Sequence, residues 1–114
     1  MKKWSIYRAN LDPTIGSEQE RTRPVLVISD DNVHDILPCV NVLPITSLKQ
    51  GRRIYPNEVL LTASVGGLTN TSIVLCHQIR TIDKSRLDFL YGKITDRDLQ
   101  AEIIEALCFQ LGIE

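Results

Sequence analysis

The chain has 114 residues, of which 43% are hydrophobic and 24% charged, with a formal net charge of −1. This length supports one domain with a single hydrophobic core over residues 1–114 and excludes two ordinary domains. The charge is not that of a strongly basic nucleic-acid-binding domain, although a local basic patch could still bind nucleic acid. The one dense candidate is the segment 49–53 (KQGRR), for which charge alone favours a solvated loop.

The sequence carries no targeting or redox signal. No stretch approaches the roughly 18 uninterrupted apolar residues of a membrane-spanning helix. The basic start MKKW is followed by polar residues, which predicts no signal peptide and a cytoplasmic protein. Cys39, Cys76 and Cys108 show no metal-ligand spacing and sit among apolar neighbours, so we expect buried thiols rather than disulfides or a zinc site.

The first third of the chain predicts two strands around a polar loop. Residues 5–11 (SIYRANL) form the first strand, which Pro13 ends because proline lacks a backbone donor. The segment 13–24 is a predicted loop. The β-branched run 25–29 predicts a second strand, and residues 31–36 predict a short helical turn.

Four further strands are predicted in the middle of the chain. Pro44 interrupts the first of them, which favours an edge position or a bulge. These strands are residues 38–46, 57–62, 72–79 and a short one near 86–94. The connections are a basic loop at 47–56, a turn at Gly66-Gly67 and a turn at 81–83.

The C-terminal segment has the periodicity of an amphipathic helix. Thr95 is its predicted N-cap, Asp96 and Asp98 lie in the first turn where the helix dipole favours acids, and Gly112 is its predicted end. The apolar side chains at helical spacing are Leu99, Ile103, Ala106, Leu107 and Leu111. The elements together predict a mainly β (α+β) fold, a small antiparallel barrel or strongly bent sheet of five to seven strands with one helix against it.

The motifs of several enzyme classes are absent. The sequence has no glycine-rich phosphate loop, no GxGxxG segment, no GxSxG elbow and no carboxylate cluster with metal-ligand spacing. We therefore predict no metal and no other cofactor. His34 is expected in an exposed turn, and His77, in an apolar strand, is expected to be structural rather than catalytic.

Polar side chains collect where the predicted strands begin or end. Arg23 precedes one apolar strand, Thr46 and Ser47 end another, and Gln78 and Arg80 close a third. A guanidinium binds phosphate oxygens, and Gln and Ser read base edges, so this set suits a phosphodiester, single-stranded RNA in particular. Composition and spacing alone still favour a surface ion pair for Arg23 and a β-forming role for Thr46.

Three ordered segments resemble the motifs of the MazF/PemK/Kid-type toxins of bacterial toxin–antitoxin pairs. They are LDPT, GSEQ and RPVLVIS within residues 11–29, PITS at 44–47 and QIRTIDKSRL at 78–87. The resemblance covers residues 6–112. It implies an SH3-like β-barrel with a C-terminal helix, a homodimer, and a metal-independent endoribonuclease that cuts single-stranded mRNA and is neutralised by a cognate antitoxin.

The resemblance also implies roles for individual residues. Arg23 and Thr46 match the catalytic arginine and threonine of the family. The predicted RNA-binding residues are Ser17, Glu18, Gln19, Ser47, Arg52, Arg53, His77 and Gln78. The implied reaction is attack of a ribose 2′-OH on the adjacent phosphorus, in which Arg23 stabilises charge on the phosphoryl oxygens and Thr46 holds one of them. Glu18 is assigned to base recognition first and to proton removal as the alternative.

The sequence departs from the family pattern at three points. Its first strand starts with Trp4-Ser5-Ile6 where an Arg-Gly-Asp-Ile-type start is frequent. His77 stands where some members carry an acid with a catalytic part, so either that acid is dispensable or His77 acts in its place. The net charge is slightly acidic, so RNA affinity would rest on a local patch, for which Arg52 and Arg53 are the candidates.

Two rival functions are compatible with the same fold class. The barrel is similar to that of CcdB, which binds DNA gyrase and is not an enzyme, and a degenerate family member would bind RNA or an antitoxin without cutting. The loop from Gly16 to Pro24 is not expected in CcdB-like chains. The intact Arg23 and Thr46 disfavour a degenerate member.

Overall fold

The computed structural model describes residues 2–12 and 21–114, and within these it contains seven strands and two α-helices. The elements are β1 (Ser5–Asn10), β2 (Thr22–Val27), α1 (Asp31–Ile36), β3 (Cys39–Ser47), β4 (Glu58–Leu61), β5 (Ser72–Leu75), β6 (Arg80–Asp83), β7 (Leu87–Lys93) and α2 (Arg97–Leu111). Short 3-10 turns lie at Val65–Gly67, Cys76–Gln78 and Lys84–Arg86. None of the described helices is long and apolar enough to cross a membrane.

The strands of the described residues pair antiparallel throughout, in the order β4-β5-β3-β2-β1-β7, with β6 beside the first half of β3. The mainly β fold with five to seven strands and a C-terminal helix is confirmed. The expected closure into a barrel is not found, because the outer strands β4 and β7 do not pair with each other. The 3-10 turn at Val65–Gly67 packs against β7 instead, through Gly67 and the backbone of Tyr91.

Of the two alternatives expected for Pro44, an edge position or a bulge, the edge position is wrong, because β3 lies inside the sheet. Pro44 is buried and opposite Val25 of β2. On the other side of β3, the pairing with β6 ends at Val42 and the pairing with β5 begins at Ile45. Neither β5 nor β6 pairs with Pro44. Proline is tolerated at this break because no strand on that side needs the N–H that proline lacks.

The two faces of the sheet pack against different residues, as the period of two along each strand requires. On one face, β2 and β3 contribute Leu26, Leu43 and Ile45 to the larger core, which includes Ile103 and Ala106 of α2. The opposite face carries a smaller core. Its buried members are Ala9, Leu11, Val25, Val27, Val40, Val42 and Ile82.

The helix α2 begins one residue later than predicted. Asp96, not Thr95, is the N-cap, because its carboxylate accepts hydrogen bonds from the N–H groups of Asp98 and Leu99 at 2.9 and 3.3 Å. Gly112 ends the helix in a left-handed conformation, as predicted. Of the five apolar positions at helical spacing, Ile103 and Ala106 are buried, Leu99 and Leu107 half-buried, and Leu111 exposed.

Several local predictions are wrong, and the cause is tertiary contact. The predicted loop at 13–24 ends early, because Thr22 already pairs with Asn10 of β1. The predicted strand 72–79 stops at Leu75, and the predicted turn at 81–83 is part of β6, which pairs with β3.

The histidine on α1 was expected in an exposed turn and is instead buried. His34 Nε2 lies 2.7 Å from the Ser29 hydroxyl, which accepts the Asn41 N–H at 3.1 Å, and the Lys84 ammonium donates to the His34 carbonyl. These contacts join α1 to β3 and to the turn after β6. His34 therefore has a structural role.

All three cysteine thiols are free, but only one is buried. Cys76 lies in the larger core, and burial raises the pKa of its thiol to about 12. Cys39 and Cys108 are half-buried. The expectation of three buried thiols is thus right for Cys76 alone.

Candidate active site

Arg23 and Thr46 lie at the same end of the β2–β3 pair. Val25 pairs with Pro44, the last registered pair, and Arg23 and Thr46 each lie two residues beyond it along their strands. Residues two apart along a strand project from the same face of a sheet, so Arg23 shares a face with Val25 and Thr46 with Pro44. Both are half-buried, on the face of the smaller core. The permanently charged guanidinium of Arg23 and the hydroxyl of Thr46 thus lie at one end of the sheet, an arrangement suited to binding phosphate oxygens.

The three residues predicted to contact RNA between β1 and β2, Ser17, Glu18 and Gln19, lie outside the described residues. The two ends of that connection are joined to each other. The Leu11 N–H donates to the Arg21 carbonyl at 2.9 Å, and the Arg21 N–H donates to Asp12 Oδ1 at 2.7 Å. The described residues on both sides of that connection therefore meet close to Arg23.

Two arginines of the third motif hold the same end of β1. Arg80 Nη1 donates to the Leu11 carbonyl at 3.2 Å, and Arg86 Nη1 donates to the carbonyls of Asn10 and Asp12 at 3.1 and 2.5 Å. Sequence reasoning placed Arg80 among the polar residues at the strand ends and Arg86 in the third motif, but it gave neither a role in holding β1. The available signal was the presence of two arginines, which each carry several donors, on either side of a predicted turn at 81–83.

The predicted basic patch divides into two unlike residues. The Arg52 guanidinium donates to both carboxylate oxygens of Glu58, at 3.0 and 2.7 Å, and Glu58 Oε1 also accepts the Tyr55 N–H at 3.0 Å. The Glu58 side chain is only 2% exposed. The hydrogen bonds from Arg52 lower the pKa of this carboxyl against the opposing effect of burial. Arg53 is exposed, with its guanidinium 5.6 Å from the centre of the Tyr55 ring.

His77 lies beside this ion pair rather than on a strand. It belongs to the 3-10 turn Cys76–Gln78, and its Nδ1 is 4.0 Å from Glu58 Oε2. The prediction of an apolar strand at this position is therefore wrong. His77, Arg52 and Glu58 line a cavity of about 450 Å³ that Phe109 of α2 also borders. Pro24 and Ser47, next to Arg23 and Thr46, line a different cavity.

The sequence profile of one family matches almost the whole chain. It is described as the PemK-like, MazF-like toxin of type II toxin–antitoxin systems and matches residues 2–111. The chain belongs to this family. The resemblance inferred from the three ordered motifs is confirmed.

Individual relatives agree with the family assignment. The chain is 38% identical to Endoribonuclease EndoA of Bacillus subtilis, covering 99% of this chain and 96% of that protein. It is 34% identical to Endoribonuclease MazF of Staphylococcus saprophyticus, covering 99% and 92%. Its structure is similar to crystalline MazF of Deinococcus radiodurans, with a TM-score of 0.81, 29% identity and coverage of 99% and 97%.

The different environments of Arg52 and Arg53 predict different effects on stability within this family member. Arg52→Ala is expected to lower the free energy of unfolding by roughly 2 kcal/mol, because it leaves the Glu58 carboxylate buried without its cation. Arg53→Ala, the matched control, is expected to stay within about 0.5 kcal/mol of wild type because its side chain is exposed. Urea denaturation at pH 7 measures both.

The pH dependence provides a second check on the pair. Because the folded protein holds the Glu58 pKa below its usual value, the contribution of the pair is present at neutral pH and is lost as pH falls through that lowered pKa. The difference between wild type and Arg52→Ala should therefore shrink in acid. Equal free energies of unfolding for Arg52→Ala and Arg53→Ala at pH 7 would show that the ion pair between Arg52 and Glu58 does not stabilise the fold.

Proposed function

We propose that this protein is the endoribonuclease toxin of a toxin–antitoxin pair and cuts single-stranded mRNA in the cytoplasm without a metal ion. Membership of the PemK/MazF family supports the toxin role, and a relative 38% identical to it is named an endoribonuclease. The single observation that carries the proposal is the antiparallel pairing of β2 with β3, which supports a site at the end of the two strands where Arg23 and Thr46 both lie.

The proposed reaction is an internal transesterification. The ribose 2′-OH loses its proton and forms a bond to the adjacent phosphorus, while the bond to the 5′-oxygen breaks and that oxygen gains a proton. The products are a 2′,3′-cyclic phosphate and a 5′-OH. Negative charge grows on the phosphoryl oxygens in between, where the Arg23 guanidinium stabilises it and the Thr46 hydroxyl donates to one oxygen. Glu18 is proposed for base recognition first and for accepting the 2′-OH proton second.

The proposed partners follow from the same chemistry. An antitoxin segment rich in carboxylates would compete with RNA, because both present negatively charged oxygens to Arg23. Ser47, Arg53, Gln78 and the residues 17–19 are proposed to contact the RNA. Arg52 and His77, which lie beside Glu58, are proposed to contact it as well. A homodimer is proposed as the assembled form.

Incubation of the protein with a long RNA in EDTA tests this function. We expect discrete cuts whose upstream ends carry 2′,3′-cyclic phosphates and whose downstream ends are 5′-OH, and thus accept phosphate from polynucleotide kinase directly. A matched RNA with one 2′-deoxynucleotide at the cut site should resist cleavage there, because the nucleophile is missing. Cleavage that EDTA abolishes would contradict the metal-free mechanism, and intact RNA together with inhibited gyrase would favour the CcdB-like alternative.

A further inference from the structure

A cavity of about 500 Å³ opens at the same end of the sheet as Arg23 and Thr46, but on the opposite face. Pro24 and Ser47, which line it, are the next residues along β2 and β3. Because side chains alternate along a strand, these two project to the side of the larger core, whereas Arg23 and Thr46 project to the side of the smaller one. An extended polymer that crosses this end of the sheet can therefore contact the cavity on one face and Arg23 and Thr46 on the other.

The walls of the cavity combine aromatic rings with neutral polar groups. Phe89 and Tyr91 of β7 form an edge-to-face pair with ring centres 5.2 Å apart. Thr69 and Asn70 line the cavity as well. Among the described residues that border it, none is charged. Such a lining suits a neutral heteroaromatic ring, which stacks on an aromatic face and exchanges hydrogen bonds at its edge.

The cavity is held open by backbone contacts. A Cβ on Gly67 would lie 2.1 Å from the Tyr91 carbonyl oxygen, so the turn at Val65–Gly67 touches β7 directly. The Ser72 hydroxyl donates to the Asn70 carbonyl at 2.9 Å, which fixes the backbone beside the Asn70 side chain. Phe89 is nevertheless 51% exposed. Its apolar ring is therefore accessible to a ligand next to the polar side chains of Thr69 and Asn70.

We propose that this cavity binds one unpaired nucleobase of the RNA, the base that adjoins the phosphate held by Arg23 and Thr46. The inference rests on the proposed function for the identity of that phosphate. None of the described lining residues is charged, and the Arg8 guanidinium, 5.5 Å from the centre of the Phe89 ring, is already paired with Asp88. A phosphate or an acidic peptide would therefore lose hydration there without gaining a cation that is not already neutralised. Asn70 is the residue best placed to discriminate between bases, since its amide offers both donors and an acceptor.

The test measures RNA binding separately from cleavage. Fluorescein-labelled hexanucleotides of random sequence with 2′-fluoro sugars lack the nucleophile and stay intact, so anisotropy reports affinity alone. We expect Asn70→Ala and Phe89→Leu to weaken binding about tenfold. Asn32→Ala, the same substitution at an exposed residue of α1, serves as the control and should bind as wild type does. Thermal unfolding of each variant shows that the fold persists.

A cleavage map of a long RNA provides the second readout. Wild type and Asn32→Ala should share one base preference, and Asn70→Ala should lose it at a single position next to the cut. If wild type cuts RNA but Asn70→Ala and Phe89→Leu keep both its affinity and its preference, the cavity takes no base and the proposal is wrong. If wild type cuts nothing but binding still depends on Asn70 and Phe89, the nucleobase site stands and the nuclease function fails. If wild type neither binds nor cuts, both fail.

Discussion

Arg23→Ala is expected to lower the rate constant of RNA cleavage by about 100- to 1,000-fold, the usual cost of removing one preorganised donor to the transition state. The loss should appear in kcat, because the charge that Arg23 stabilises grows only as the 2′-oxygen attacks phosphorus. Single-turnover cleavage of a short RNA at saturating enzyme measures the chemical step directly.

Arg21→Ala is the matched control for Arg23→Ala. Both variants lose one positive charge from the same segment, but the hydrogen bonds described for Arg21 use its backbone N–H and carbonyl, not its side chain. Arg21→Ala should therefore cleave RNA at close to the wild-type rate. Equal losses in the two variants would assign the effect to net charge, and wild-type cleavage by Arg23→Ala would overturn the mechanism.

Arg23→Lys separates the geometry of the guanidinium from its charge, and Thr46→Val removes the hydroxyl at the same site. Lysine keeps the charge but lacks the planar fork, so we expect only partial recovery of the rate relative to Arg23→Ala. Valine keeps the β-branched shape of Thr46 and removes the hydroxyl, so the fold should persist while the rate falls. Full activity of Thr46→Val would remove the hydroxyl from the mechanism.

Gly67→Ala is expected to destabilise the protein by roughly 3 kcal/mol, the largest effect that we expect on stability. The residue has φ +82°, which disfavours any side chain, and its added Cβ would lie 2.1 Å from the Tyr91 carbonyl oxygen. Since the obstacle is backbone, no side-chain rotation relieves it, and the turn must separate from β7. The free energy of unfolding in urea measures the effect.

Gly51→Ala isolates the contribution of the backbone conformation. Gly51 has a similar φ, +78°, but no heavy atom lies within 4 Å of the position of its Cβ. It should cost about 1 kcal/mol, the penalty of the left-handed conformation alone. If the two substitutions cost the same, the close packing of the turn on β7 contributes nothing to stability.

Those parts of the fold that depend on neighbours in sequence could be predicted. The end of α2 at Gly112 and its buried face around Ile103 follow from local backbone freedom and a period of 3.6 residues. The resemblance carried by three ordered motifs implied the candidate pair Arg23 and Thr46, and the pairing of β2 with β3 puts both residues at the same end of the two strands.

Other features depend on partners far away along the chain, which no local pattern specifies. Arg80 reaches a carbonyl 69 residues earlier, and Arg86 reaches one 74 residues earlier. The prediction of an exposed His34 failed because its imidazole contacts the Ser29 hydroxyl, which also accepts the N–H of Asn41 on β3.

The amino-acid sequence by itself determined the fold class through its periodicity and the family through the order of its motifs, because both are properties of the chain. The resemblance to that family implied the two residues proposed to carry the chemistry. The tertiary structure decided which charged groups are engaged and which side chains meet. It assigned Arg52 to the buried Glu58 and left Arg53 exposed, although the two arginines are adjacent. Burial sets that difference, since a carboxylate removed from water requires a cation beside it and an exposed guanidinium does not.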